Sequence, residues 1–506
     1  MDKKHIISFM AFLFLVGYGS KLYADENDWM IYLGDQTAKK APRKSVSAAE
    51  ALAPLPLPAT PLRRTERKTP PQPDYLIGKV IWGKDATFTD SSGDKLKIAD
   101  WNLCPTDLER FIDNARKLQL PYHWCNINLG DFHYDPQQLP SLLFSGVRTV
   151  RLSPEQNKAL RQYVLNGGMI IFDSIAGSPY FNSSAIKLTG EIFPECQIRD
   201  IPADHPLYHI FFDLEKVSVK GQAASLPKLQ GIYVGSRVAI LISPVGLGCG
   251  WNRNISRVET LKQASYYDQQ TAAKIGLNIA GYIVGYAEAG VVEGRPEIFG
   301  LADKTPTDEF VFAQIKHEGS WNVHPGAASA LLMKMRKNTS VTVNLKRAAV
   351  DLDKDDISVY PFLYMTGLDD FKLSEKGVGR LKQFINNGGV LLINNGLGLS
   401  SFDIAVRREL KKVIGDSQLQ KIPIDHPLYN CLFQIDKANY SPALQKEKLT
   451  VPSLMGLSVG GKLAVIYSPY DLEAGWLEVY YPLIRSYQPL SSQKIAMNII
   501  MYLMTQ

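Results

Sequence analysis

The sequence predicts an α/β protein made of two tandem three-layer αβα domains with mostly parallel sheets. Three observations carry that reading. The stretch Asn166-Gly167-Gly168-Met169-Ile170-Ile171-Phe172-Asp173-Ser174 joins a helix end to an unbroken apolar run and then to a turn. Glycine suits a helix end because it tolerates the left-handed backbone, and a continuous apolar run suits a strand covered on both faces. The same device recurs at Asn387-Gly388-Gly389-Val390-Leu391-Leu392-Ile393-Asn394-Asn395. The matches on either side of it keep their order.

Residues 1–24 read as an export signal. Lys3 and Lys4 precede an apolar core from Ile6 to Tyr18, and Ala24 suits the cleavage position. The competing reading is an uncleaved anchor, although the apolar run is shorter than the ~20 residues of a membrane span. Residues 25–73 read as a disordered proline-rich linker, with Ala53-Pro54-Leu55-Pro56-Leu57-Pro58 and Pro70-Pro71-Gln72-Pro73 favouring extended backbone. Its basic cluster at residues 63–68 offers a peripheral contact to a membrane surface or partner. A solvated charge run is the plainer reading.

The first domain is expected over residues 74–290, a linker over 291–307, and the second domain over 308–506. Trp101-Asn102-Leu103-Cys104-Pro105 matches Trp321-Asn322-Val323-His324-Pro325, and Asp204-His205-Pro206-Leu207-Tyr208 matches Asp425-His426-Pro427-Leu428-Tyr429. Ser243-Pro244 and Gly250-Trp251 match Ser468-Pro469 and Gly475-Trp476. A repeat of this length is a domain duplication, not a solenoid.

Each copy then reads alike. A first strand (Leu76 to Trp82; Phe310 to Ile315) leads through the Trp-Asn turn to a helix (Thr106 to Lys117; Gly326 to Arg336). A second strand follows (His123 to Leu129; Val341 to Leu345), and a third lies at Val147 to Leu152 and Phe362 to Met365. Ser153 and Ser374 cap the next helix. The strand after Gly-Gly is the fourth. A glycine-turned hairpin spans 231–243 and 456–468, and a last helix closes each copy. Alternating strands and helices predict a sheet covered on both faces.

At these motifs the chain resembles the family known as domain of unknown function 4159, within the class I glutamine-amidotransferase-like superfamily. The features are Trp-Asn-x-x-Pro, the Gly-Gly strand and turn, Asp-His-Pro-Leu-Tyr, the strand end Tyr467-Ser468-Pro469 and Gly-Trp. The resemblance implies a flavodoxin-like or amidotransferase-like fold rather than an activity. Amidotransferases place a nucleophilic Cys on the elbow after the central strand. The matching positions here are Asp173-Ser174 and Asn394-Asn395, and neither holds Cys.

Ser174 is the one hydroxyl at the centre of these turns, and a base would have to lie within hydrogen-bond reach for it to act. His205, with Asp204 beside it, is the candidate. The competing reading makes Asp-His-Pro a structural turn, since proline restricts the residue before it. Trp101, Trp321, Trp251 and Trp476 sit at turns and are candidates for a binding cleft, together with Asp425 and His426. The competing reading puts these tryptophans in the core.

No cofactor is implied, and no metal, because a third convergent ligand is missing. Net charge is +6, of which residues 1–24 carry +2, residues 25–73 carry +2 and the rest of the chain +2, so no basic face is implied in the domains, which argues against nucleic acid. The five cysteines leave at least one unpaired, and Cys104 with Cys125 is the nearest pair in sequence. The expected role is an exported, periplasmic or envelope-associated, non-catalytic binding or assembly module with an envelope protein or small-molecule or glycan ligand. The alternatives are a hydrolase at Ser174 and His205 and a carbohydrate-binding module.

Overall fold

The computed structural model describes residues 26–30, 75–89, 95–133, 135–220, 222–224, 226–254, 262–295, 297–300, 309–415 and 417–505. The leader, and the linker beyond residue 30, lie outside the described residues.

Long apolar runs in the fourth strands bury both faces, so each becomes the centre of a sheet. The first sheet runs His123–Asn128, Tyr75–Ile81, Ser141–Gly146, Met169–Ser174, Arg237–Ser243, Gln230–Val234, Arg199–Asp200. The second runs Ala348–Val350, Ala313–Ile315, Phe362–Gly367, Val390–Asn395, Lys462–Ser468, Met455–Val459, Gln420–Lys421. Both sheets have seven strands and the same order. Five neighbouring strands are parallel and the last two join antiparallel. The registers also agree. Ile170 lies beside Leu142 and Ile240, as Leu391 lies beside Leu363 and Val465. The duplication is therefore structural as well as sequential.

Alternate strand residues feed two cores. In the first copy, Leu143, Ile171 and Leu241 meet helices Asp107–Lys117 and Gln269–Gly285. Leu142, Ile170 and Phe172 meet helices Pro154–Leu165 and Pro179–Ile192 on the other face. Ser153 caps its helix through a complete capping box, and Ser374 caps the matching one. Among the described residues, no single helix is long and apolar enough to cross a membrane.

Three expectations need correction. The third strand of the first copy is Ser141–Gly146, not Val147 to Leu152. It is buried at every position, as a central parallel strand must be. The alternating pattern of residues 147–152 belongs instead to the turn beyond it. The second strand of the second copy is Ala348–Val350, because Ala313–Ile315 pairs there, and Val343 makes only an isolated bridge to Phe310. Finally, Glu26–Trp29 form a 3-10 turn, and Trp29 and Met30 are each 5% exposed, so the start of the expected linker is packed.

The copies stack head to tail. One apolar cluster runs from Tyr282 and Tyr286 of the first copy to Leu397, Tyr481 and Ile484 of the second. The hairpin turn at Gly235 lies at the end of the first sheet where the parallel strands begin, and it faces the Trp321 turn, where the second copy's strands end. Helix Ala287–Glu293, which runs into the expected linker, delivers Glu293 to this junction.

Candidate functional site

Ligands of open α/β sheets bind at the carboxyl ends of the strands. Both such ends are partly covered here by other segments of the chain. In the first copy, Trp29 and Met30 cover it, packing with Leu103, Val147, Ile175, Ala176 and Cys249. Glu26 holds the segment in place by accepting from the Thr149 hydroxyl at 3.1 Å. In the second copy, the first copy itself covers it.

The turn after each fourth strand is a tight elbow with one non-glycine residue at positive φ. That residue is Ala176 (φ 54°) in the first copy and Leu397 (φ 55°) in the second. These strained positions, and not Ser174 and Asn395, are the elbow centres, and neither side chain carries a nucleophilic atom. The backbone amides there are already engaged. Ala176 N–H donates to Cys249 Sγ at 3.2 Å, and Leu397 N–H donates to Asp471 Oδ2 at 2.8 Å.

Asp173 fills the elbow of the first copy. Its carboxylate accepts from Leu247 N–H and Gly248 N–H, both at 2.7 Å. Burial pushes its pKa up to about 7, against the pull of those two donors. Next to it, Lys79 is buried and donates to both Asp107 oxygens at 2.8 Å, to Cys104 O at 2.8 Å and to Asn102 Oδ1 at 3.2 Å. Burial also raises the Asp107 pKa, and Lys79 opposes the rise.

The second copy has another arrangement at the same place. Asn394 accepts from Leu472 N–H at 2.8 Å and donates to Asp471 Oδ1 at 3.0 Å. His324 lies between Asp471 (2.9 Å from Nε2) and Glu293 (2.7 Å from Nδ1), with all three side chains fully buried. Burial alone would strip its proton, but Asp471 and Glu293 outweigh burial and raise its pKa well above the ordinary value. Tyr481 donates to Glu293 at 2.8 Å. Arg347, also buried, binds Glu297, Gln314 and Asn322. Glu473 is raised to about 7 by burial, despite nearby His324 and Arg347. Sequence reasoning missed this network because Glu293, His324, Arg347 and Asp471 are far apart in the chain, and the motifs that hold His324 and Asp471 show no sign that the two meet.

The structure does not bring Ser174 and His205 together. Ser174 is fully buried at the end of its strand, and its hydroxyl has no partner. The His205 ring packs on Tyr233 and Tyr282. Tyr233 pairs with Val238, two residues before Ile240, which pairs with Ile170. His205 therefore belongs to the opposite end of the sheet, roughly 20 Å away at ~3.3 Å per strand residue. Burial lowers the His205 pKa to about 3. Its Nδ1 accepts from Leu207 N–H at 3.2 Å, and His426 Nδ1 does the same for Leu428 N–H. The motif is thus a capped turn in both copies. Asp204 accepts from Ser400 N–H at 2.7 Å, capping a helix of the second copy, while Asp425 is exposed.

The tryptophans divide. Trp251 and Trp476 are 1% exposed and belong to the cores, which corrects their candidacy as cleft residues. Trp101 packs on the core of the first copy. Trp321 lines an open cavity, about 540 Å³ in volume, at the junction of the copies. Cys104 meets Cys249 and not Cys125, which packs in a separate cluster, and all five cysteines are free thiols. Among the described residues, no group of His, Cys, Asp and Glu has the geometry of a metal centre.

No curated protein matches the chain. The family described as "Domain of unknown function (DUF4159)" matches residues 99–284 and again 311–504. The two matched stretches take in one structural copy each, and together they cover more than half the chain, so the chain belongs to the DUF4159 family, in two tandem copies.

Proposed function

We propose that this is an exported, non-catalytic binding or assembly module of the cell envelope, built from two degenerate amidotransferase-like domains. The observation that carries the reading is the pair of elbow centres, Ala176 and Leu397. Acyl transfer at an elbow needs a nucleophile there and free amides for the oxyanion. Both copies offer an alkyl side chain and amides that are already bonded. Export rests on the charged and apolar leader ending near Ala24, and it places the partner or ligand in the envelope or periplasm.

The test is a panel of amide, ester and glycosidic substrates incubated with wild type and with Ser174→Ala. No turnover is expected from either protein. Turnover that disappears in Ser174→Ala, with the melting temperature unchanged, overturns the reading in favour of a hydrolase.

A further inference from the structure

We propose that the cavity between the two copies binds a zwitterionic short peptide or amino acid. The proposal deepens the binding-module reading and rests on it. The cavity lies at the strand ends of the second copy, and its volume of about 540 Å³ is within the range of ~300–1,000 Å³ usual for small-ligand sites. Trp321, Phe193 and Leu165 give it apolar walls. Most charges around it are already paired: Arg161 with Glu195, Arg347 with Glu297, and His324 with Glu293.

Two lining side chains remain. Arg295 and Glu318 are exposed, and among the described residues neither side chain has a charged partner. One cation and one anion that are unpaired among the described residues, beside apolar walls, suit a ligand with a carboxylate, an ammonium group and a hydrocarbon body. A neutral sugar would leave both charges without a counterpart. Arg295 takes the carboxylate, Glu318 takes the ammonium group, and Trp321 carries the apolar stem.

The experiment is isothermal titration of the full chain with leucyl-leucine, its N-acetyl form, its C-terminal amide, and cellobiose. Leucyl-leucine is expected to saturate one site. Each blocked form is expected to bind about threefold to fivefold more weakly, the size of one exposed ion pair. Glu318→Gln should erase the penalty of N-acetylation alone, and Arg295→Gln that of amidation alone. Both residues are exposed, so the fold is not at stake. Equal binding of all peptide forms, no binding of any, or saturation by cellobiose instead would overturn the proposal. The dipeptide is recovered after titration. Release of free leucine would still show the site occupied, and would count against the non-catalytic reading alone.

Discussion

In the first copy, the strand end is held by a lysine from the first strand. Lys79 binds Asp107 and the Asn102 side chain beneath the elbow. In the second copy, Gln314 stands at that register position and Ala327 stands where Asp107 would be. The cation arrives from elsewhere: Arg347 reaches Asn322, the counterpart of Asn102, from just before the edge strand. One backbone thus supports two separate solutions for burying charge. The first is closed within its own copy. The second recruits Glu293 from the first copy, so the network of the second copy is also the joint between the domains. A buried charge costs several kcal/mol unless paired, so each network must be kept or replaced as a unit.

The comparison can be broken most severely at His324. His324→Ala leaves Glu293 and Asp471 buried without their common partner, and is expected to cost about 3–5 kcal/mol of unfolding free energy. Cys104 holds the same place in the first copy, and its side chain forms no ion pair, so Cys104→Ala is expected to cost about 1–2 kcal/mol. Denaturant melts of both variants check the contrast, and equal losses would show that His324 is mere packing.

Lys79→Gln strands Asp107 in the same way, with an expected loss of about 3 kcal/mol. The second copy already shows an alternative, the combination of Gln and Ala at these two positions. The double variant Lys79→Gln, Asp107→Ala is therefore expected to recover most of that loss. A double variant no more stable than the single one would mean that Lys79 acts mainly through Cys104 O and Asn102.

The elbows also differ in titration. Asp173 is raised by burial from its ordinary 3.8 to about 7, so the folded state binds its proton more tightly than the unfolded chain does. The stability this group lends is greatest below pH 4, falls as pH climbs from about 4 to about 7, and is flat above. Asn394 at the same register has no such dependence. Over that window, the stability of wild type relative to Asp173→Asn should fall by roughly 2–4 kcal/mol. Unfolding curves at a series of pH values measure it, and a difference independent of pH would show Asp173 to be ionised throughout.

What the sequence made legible follows from range. The elbow strands, the capped helices after Ser153 and Ser374, and the hairpins at Gly235 and Gly460 are local patterns, and they were readable one copy at a time. The matched motifs made the duplication readable as well. The strand Ser141–Gly146 was hidden because its serines and glycine mask a fully buried run. The elbow centres were misplaced because positive φ at Ala176 and Leu397 leaves no mark on residue type; alanine and leucine are residues that rarely adopt it. The Glu293–His324–Asp471 joint was invisible because its members come from three separate segments. The packed Trp29 and Met30 read as linker in the sequence because five residues show no periodicity.

The finest contrast is in the Asp-His-Pro-Leu-Tyr motif, identical in both copies yet differently employed. In each copy the histidine caps the 3-10 turn that follows it. In the first copy Asp204 also reaches across the joint to Ser400 N–H, the start of helix Ser400–Ile414. A carboxylate at a helix N-terminus satisfies an otherwise free donor and meets the positive end of the helix dipole. Asp204→Ala is therefore expected to lower stability by about 1 kcal/mol. Asp425 is exposed and caps no helix of the other copy among the described residues, so Asp425→Ala should fall within about 0.5 kcal/mol of wild type. Salt distinguishes the parts of the effect: the dipole contribution is screened, whereas the hydrogen bond persists. If both substitutions cost the same, the motif stabilises each copy only from within, and Asp204 contributes nothing to holding the two together.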